Sequence, residues 1–247
     1  MEYRLFDCVS GLPNLSETEI DLAEGDVQIW RIALNRPPDP ENSKLISTLS
    51  PDEQLRAGRF HRSRDRDNFI YTRGMLRAIL ARYLSISAAN INFVYSAYGK
   101  PAIVENQNHR GLRFNLSHAN EIALIGITRK CEIGIDIEFI REDFATMEIA
   151  EDFFSEKELV VLRLLPRQLR TRAFFNCWTR KEAYIKAIGE GLSHPLDKFA
   201  VSLTPGNPPE LLHVDDNPLE ILRWRFYEPD TPPGYVAALV VEKLKGN

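Results

Sequence analysis

Cysteine is scarce in this chain of 247 residues: Cys8, Cys131 and Cys177 are odd in number, widely spaced and form no C-x-x-C pair. A disulfide framework or cysteine-built zinc site is therefore not expected, and the three read as reduced, part-buried thiols of a cytoplasmic protein. An excess of basic charge is also lacking. The 31 Lys and Arg stand against 35 Asp and Glu, for a net charge of −4, which supports neither bulk nucleic-acid binding nor a polybasic membrane surface. No uninterrupted apolar run approaches the roughly 18 residues of a membrane span. Met1-Glu2-Tyr3-Arg4-Leu5-Phe6-Asp7-Cys8 has no basic stretch followed by an apolar one, so neither export nor a membrane partner is expected. Low-complexity tracts and short-period repeats are missing. So are G-x-x-x-x-G-K, G-x-G-x-x-G, H-E-x-x-H and G-x-S-x-G, which sets aside the common nucleotide, zinc-protease and serine-hydrolase signatures.

What is present is an ordinary globular composition, 44% hydrophobic and 27% charged, in a chain long enough for one large domain or two small ones. Residues 27–34 read as a strand, followed by a proline-rich turn at Pro37, Pro38 and Pro40. Ser50-Pro51-Asp52-Glu53 is a helix start, with Ser at the N-cap, Pro at N1 and Glu at N3. Helical spacing of Phe69, Leu76, Ile79, Leu80 and Tyr83 predicts a long helix from about Asp65 to Leu84. Strands are expected near 91–95, 112–116, 121–128 and 132–138, with a turn at Tyr98-Gly99-Lys100-Pro101. The order then repeats. Ser155-Glu156-Lys157-Glu158 is a second capping box, and a second long helix is expected from about Leu169 to Ile188. Residues 204–218 read as a loop, and strands are expected at about 219–227 and 235–242. Placing Ser50 on Ser155, an offset of 105 residues, sets Phe69 on Phe174, Ala78 on Ala183 and Arg77 at the place of Glu182. The expectation is an α+β fold of two similar halves, residues 1–129 and 130–247, with the site where they meet. The plainer reading is two helices of similar length that align by chance.

The chemistry-bearing residues cluster around two segments. On a strand, Ile133, Ile135 and Ile137 share one face, while Asp136 and Glu138 project together from the other. Two such carboxylates repel, and a cation relieves that. Gly134 precedes them on the same face and leaves room for a ligand or backbone. Glu182 and Lys186 are four apart, on one helix face beside Trp178 and Ile185. A third carboxylate and an ammonium there would suit magnesium and phosphate. The plain alternatives are a solvated strand face and an ordinary i,i+4 pair. Ser117-His118 and the Tyr98–Pro101 turn offer phosphate donors. The eight arginines between Arg56 and Arg82 (with Asp65 and Asp67 the only acids among them) form a basic segment that is mostly solvated surface, with one or two residues facing phosphate.

Phe114-Asn115-Leu116-Ser117-His118, Gly134-Ile135-Asp136-Ile137-Glu138 and Trp178-Thr179-Arg180-Lys181-Glu182-Ala183-Tyr184-Ile185-Lys186 resemble, in order, three motifs of the 4′-phosphopantetheinyl transferases, in the large, monomeric, Sfp-type branch. Ser50-Pro51, Arg59-Phe60, Tyr98 to Pro101, Phe153-Phe154-Ser155, Gly189 to Leu192 and Pro195-Leu196-Asp197 extend the likeness over about residues 50–200. The resemblance implies two α+β halves with coenzyme A in the cleft between them. It implies transfer of 4′-phosphopantetheine to a serine of an acyl or peptidyl carrier protein, with release of adenosine 3′,5′-bisphosphate. Asp136, Glu138 and Glu182 would hold Mg²⁺; Glu182 would be the base, and Lys186 would assist departure of the nucleotide phosphate. Arg56, Asn115, Ser117 and His118 would contact coenzyme A, as would the turn Tyr98, Gly99, Lys100 and Pro101. The carrier would dock after Lys186, over about residues 189–212, where Leu192, Leu196 and Phe199 are either contacts or core. Where some relatives have a second basic residue, this chain has Glu53; Arg62 and Arg73 are possible substitutes. The alternatives are another Mg²⁺-dependent phosphoester enzyme and a non-catalytic binding module on the same fold.

Overall fold

A computed structural model describes residues 3–8, 20–35, 44–215 and 217–244, with the side chain of Leu192 outside the description. The proline-rich turn expected at Pro37, Pro38 and Pro40 also lies outside it. The first half begins with β1 (Tyr3–Cys8), parallel to β2 (Val27–Ala33). Next come α1 (Pro51–Ala57), α2 (Ser63–Leu84), the hairpin β3 (Phe93–Tyr95) and β4 (Pro101–Ile103), and the hairpin β5 (Leu112–Ala119) and β6 (Ile122–Arg129). The second half contains β7 (Ile133–Phe139), α3 (Met147–Phe153), α4 (Glu156–Leu164) and α5 (Arg167–Ile188). It closes with β8 (Phe199–Val201), β9 (Leu211–Val214), α6 (Glu220–Arg223), β10 (Trp224–Tyr227) and β11 (Tyr235–Glu242).

The two halves share one topology. The first sheet has the order β1-β2-β6-β5 and the second β10-β11-β7, so β2-β6-β5 and β7-β11-β10 are the same antiparallel arrangement. Their registers correspond as well: Trp30 pairs with Ile125 where Asp136 pairs with Ala238, and Gln28 with Ile127 where Gly134 pairs with Val240. Alternation along the strands builds four layers. Val27, Ile29, Leu124, Ile133, Ile135 and Leu239 fill the space between the two sheets. The outer face of the first sheet packs Trp30, Ile32 and Ile125 against Leu76, Ile79 and Leu80 of α2. The outer face of the second packs Val236, Ala238 and Val240 against Ala183, Ile185 and Ala187 of α5.

Both capping boxes form, at Ser50–Glu53 and Ser155–Glu158. Each capping glutamate is buried and pairs with a cation on the long helix, Glu53 with Arg77 at 2.6 Å and Glu158 with Lys181 at 2.8 Å. These pairs align Arg77 with Lys181, so within the long helices the offset is 104 residues, and Ala78, not Arg77, falls at the place of Glu182. The halves also differ at their seams. On one seam β5 lies directly beside β7, where Asn115 Oδ1 accepts the Ile135 N–H at 3.0 Å. On the other, β1 intervenes, with Tyr3 edge-on to Tyr227 and its hydroxyl accepting from Asp230 N at 3.3 Å.

Candidate active site

The open seam is where the acidic residues gather. β7 turns Gly134, Asp136 and Glu138 toward α5, as strand alternation requires. A Cβ on Gly134 would overlap the Ala183 carbonyl oxygen and the Ala187 nitrogen, so the missing side chain admits the backbone of α5 rather than a ligand. That close approach places Lys186 on Asp136. Its Nζ lies 2.6 Å from Asp136 Oδ1 and 3.1 Å from Ser117 Oγ, and the Ser117 hydroxyl donates to the same Oδ1 at 2.8 Å. Asp136 is 3% exposed, and its other oxygen, Oδ2, is buried with no hydrogen-bond partner.

Glu138 and Glu182 share this field. Burial, with the negative charge of Asp136 and Glu182, pushes the Glu138 carboxyl up to about 7, against relief from Lys186 and Arg141. Burial and Asp136 push Glu182 up as well, with Lys186 opposing. The group is over-supplied with carboxylates: three acids face the Lys186 ammonium and the Arg141 guanidinium, and protonation is a further relief. Among the described residues no three His, Cys, Asp or Glu side chains are gathered closely enough to enclose a metal ion by themselves.

A cavity of about 750 Å³ lies on the other side of β5. Leu116 and His118, flanking Ser117, line it, so that strand is the wall shared by cavity and acid cluster. Ser117 and His118, adjacent in sequence, thus face different surroundings. Arg56, Phe69, Arg73 and Tyr95 form the far side. The Arg56 guanidinium lies 5.3 Å from the centroid of the Phe69 ring. Arg73 donates to Glu53 Oε1 and to Tyr95 Oη, the latter at 2.5 Å, and covers the Phe93 ring at 4.5 Å. Cations beside aromatic faces suit a flat anionic ligand.

Of the residues expected to bind coenzyme A, Arg56, Gly99, Pro101 and His118 line this cavity, and Ser117 joins Asp136 and Lys186. Tyr98 is exposed at the turn, its N–H donating to Ser96 Oγ at 3.2 Å. Asn115 is spent on the seam with Ile135. Lys100 turns away from the cavity: its ammonium donates to Glu132 Oε2 at 3.0 Å, Ile133 O at 3.2 Å and Ala187 O at 3.0 Å, which uses all three of its protons. Lys181 is wholly buried and bonds Leu196 O and Phe199 O, both at 2.6 Å, beside Glu158. Leu196 and Phe199, possible docking contacts by sequence, belong to the core. Sequence reasoning gives Tyr95 no role and Arg73 only that of a substitute phosphate contact. The signal for Arg73 was its spacing of four from Arg77, which lets both reach the capping Glu53. Glu53, seen as a missing phosphate contact, is the anchor of both.

Residues 132–240 match the family described as the 4′-phosphopantetheinyl transferase superfamily, and residues 35–129 match a 4′-phosphopantetheinyl transferase N-terminal family. The chain belongs to the 4′-phosphopantetheinyl transferase superfamily. Its relatives include the 4′-phosphopantetheinyl transferase HetI of Nostoc sp., 38% identical over 199 residues that cover 81% of each chain. The 4′-phosphopantetheinyl transferase Sfp of Bacillus subtilis is 32% identical over 178 residues, covering 72% of this chain and 77% of that one. A solved holo-[acyl-carrier-protein] synthase of Helicobacter pylori, in complex with coenzyme A, is 23% identical with a TM-score of 0.35, covering 45% of this chain and 99% of that one. The chain is thus an α+β enzyme of the phosphopantetheinyl transferase type, and the family matches fall on both sides of the seam described above.

Proposed function

We propose that the chain transfers 4′-phosphopantetheine from coenzyme A to a serine hydroxyl of an acyl or peptidyl carrier protein and releases adenosine 3′,5′-bisphosphate. One observation carries this reading: a cation-lined, aromatic cavity and a charge-frustrated carboxylate cluster share the single wall β5. The nucleotide end of coenzyme A fits the cavity, with Arg56, Arg73 and His118 near its phosphates and the 99–101 turn alongside. Its diphosphate then reaches the cluster.

The residues fit a hard divalent cation. Asp136 Oδ2 is a buried oxygen without a partner, and Glu138 and Glu182 repel its charge. Asp136, Glu138 and Glu182 would hold Mg²⁺, together with water and phosphate oxygens, and the ion would supply charge neutralisation at the diphosphate. Glu182, whose proton affinity burial and Asp136 raise, accepts the proton of the carrier serine. Lys186 hydrogen-bonds the leaving phosphate oxygen. Phosphoryl-type transfer asks for this alignment and charge compensation more than for a covalent intermediate.

The reading extends to the whole chain. Two halves, 1–129 and 130–247, act as a monomer in the cytoplasm; coenzyme A and the carrier are its partners, and nucleic acid and membrane are not. Three buried free thiols and a net charge of −4 support this. Incubating the protein with coenzyme A, Mg²⁺ and apo carriers of the fatty-acid, polyketide and peptide-synthetase classes tests the reading by intact mass. A gain of one phosphopantetheine on a carrier is expected. No gain on any of them, with coenzyme A binding intact, would leave a binding module in its place.

A further inference from the structure

The turn at Tyr98–Pro101 looks, by sequence, like a nucleotide contact with Lys100 as its cation. Its geometry says something different. Gly99 and Pro101 line the cavity, but the Lys100 side chain crosses from the first half to the second. It hydrogen-bonds Glu132, just before β7, the Ile133 carbonyl that opens β7, and the last turn of α5 through Ala187 O. Ala187 directly follows Lys186. The turn also packs on the end of α5: a Cβ on Gly189, which caps that helix at φ +80°, would lie 3.6 Å from Lys100 Cδ, and one on Gly191 would lie 3.8 Å from Tyr98 Cβ. Burial, with the charge of Arg113, pushes the Lys100 ammonium below its usual proton affinity, and Glu132 opposes that shift.

We propose that Lys100 is a positioning residue, a latch that ties the cavity-lining turn of one half to the β7 start and α5 end of the other. It thereby fixes the distance between the nucleotide pocket and the Asp136–Lys186 cluster. The carbonyls of Ile133 and Ala187 belong to the two elements that carry Asp136 and Lys186, so one ammonium sets both against the pocket. Because a donor spanning the pocket and the cluster must meet both at once, a small slip between them lowers turnover while leaving each end's binding intact.

The proposal rests on the transfer reading, and its test separates the two. Lys100→Met keeps the aliphatic stem and removes every donor; Lys100→Arg keeps donors on a stem of similar reach. With coenzyme A and with 3′-dephospho-coenzyme A as donors, Lys100→Met is expected to lower kcat by roughly 10–100-fold. The factor should be the same for both donors, with KM nearly unchanged, and Lys100→Arg should recover most of the loss. A loss confined to coenzyme A would make Lys100 a 3′-phosphate contact and overturn the latch. A lowered melting temperature with kcat and KM unchanged would reduce it to a stabilising residue and overturn it equally. Hydrogen exchange reads the latch without turnover: in Lys100→Met the Gly189 amide, bonded to Ile185 O at 3.0 Å, should exchange faster than in the parent. Unchanged exchange there would contradict the latch even if the parent transfers nothing, whereas an inactive parent with faster exchange in the variant would overturn only the transfer reading.

Discussion

At the residue scale the site is an imbalance of charge held in place by neutral neighbours. Asp136 Oδ1 is occupied twice, by Lys186 and by Ser117, and Oδ2 is left without a partner, so the two donors select which oxygen remains for a ligand. Asp136→Ala and Glu182→Gln should each lower transfer by at least about 100-fold, the scale of losing one preorganised electrostatic contact, while circular dichroism and melting stay close to the parent. Near-normal turnover in either would remove these residues from the reaction. Strand alternation pairs Asp136 with Glu138 and the i,i+4 rule pairs Glu182 with Lys186, because backbone geometry alone fixes those relations, whereas the meeting of the two pairs is implied only by the family resemblance. The fates of Lys100 and Asn115 were not legible. Each is decided by acceptors or donors across the seam, Ala187 for one and Ile135 for the other, and local sequence says nothing of what faces a residue from the other half.

At the scale of elements, α5 can carry a reactive face only because β7 yields to it at Gly134. Gly134→Ala forces a methyl into the Ala183 carbonyl and Ala187 nitrogen, backbone atoms that cannot rotate away. A loss of about 3 kcal/mol, at the upper end for overpacking, is expected by denaturant titration, together with weakened transfer as Lys186 moves off Asp136. A parent-like midpoint would mean that α5 does not sit so close. In the first half, α1 is bound to α2 through Glu53. Burial raises the proton affinity of that carboxyl, but the bond from Arg77 and the charge of Arg73 outweigh it and hold the group below its usual 4.5. A group so depressed contributes stability above its unfolded value, and that contribution is lost as pH falls through the folded one. The parent should therefore lose stability on acidification below about pH 4.5. Glu53→Gln, which strands two buried guanidiniums, should cost about 3–5 kcal/mol at neutral pH and show a flatter acid limb in thermal melts. An acid limb as steep as the parent's would exclude Glu53 as its source. Long helices and strands with strong periodicity were legible here; short pieces were not. β1 is an edge strand of mixed burial, β9 lies inside residues 204–218 that read as loop, and the first part of 219–227 winds into α6 before β10. Each is set by partners distant in sequence rather than by its own pattern.

At the scale of the whole molecule, one topology is used twice, and the two copies are put to different uses. Where the second half has Asp136 and Glu138, the register of the first places Trp30 and Ile32, and both of these are buried against α2. The duplicated order of capping box, long helix and strands was visible in the sequence, but its offset was one residue out along the long helices, because only the Glu53–Arg77 and Glu158–Lys181 pairs reveal the true alignment. The first copy contributes a basic cavity and the second an acidic cluster. β5 is the wall they share, across which the proposed diphosphate would bridge them. Among the described residues the second seam is filled by β1.

The most direct measurement of this account is the adenosine 3′,5′-bisphosphate released from coenzyme A, quantified by chromatography beside the intact mass of the carrier. Release is expected only when apo carrier and Mg²⁺ are both present, one nucleotide for each carrier that gains phosphopantetheine, and none with Asp136→Ala. Cleavage of coenzyme A without carrier, or nucleotide release that leaves the carrier's mass unchanged, would contradict it.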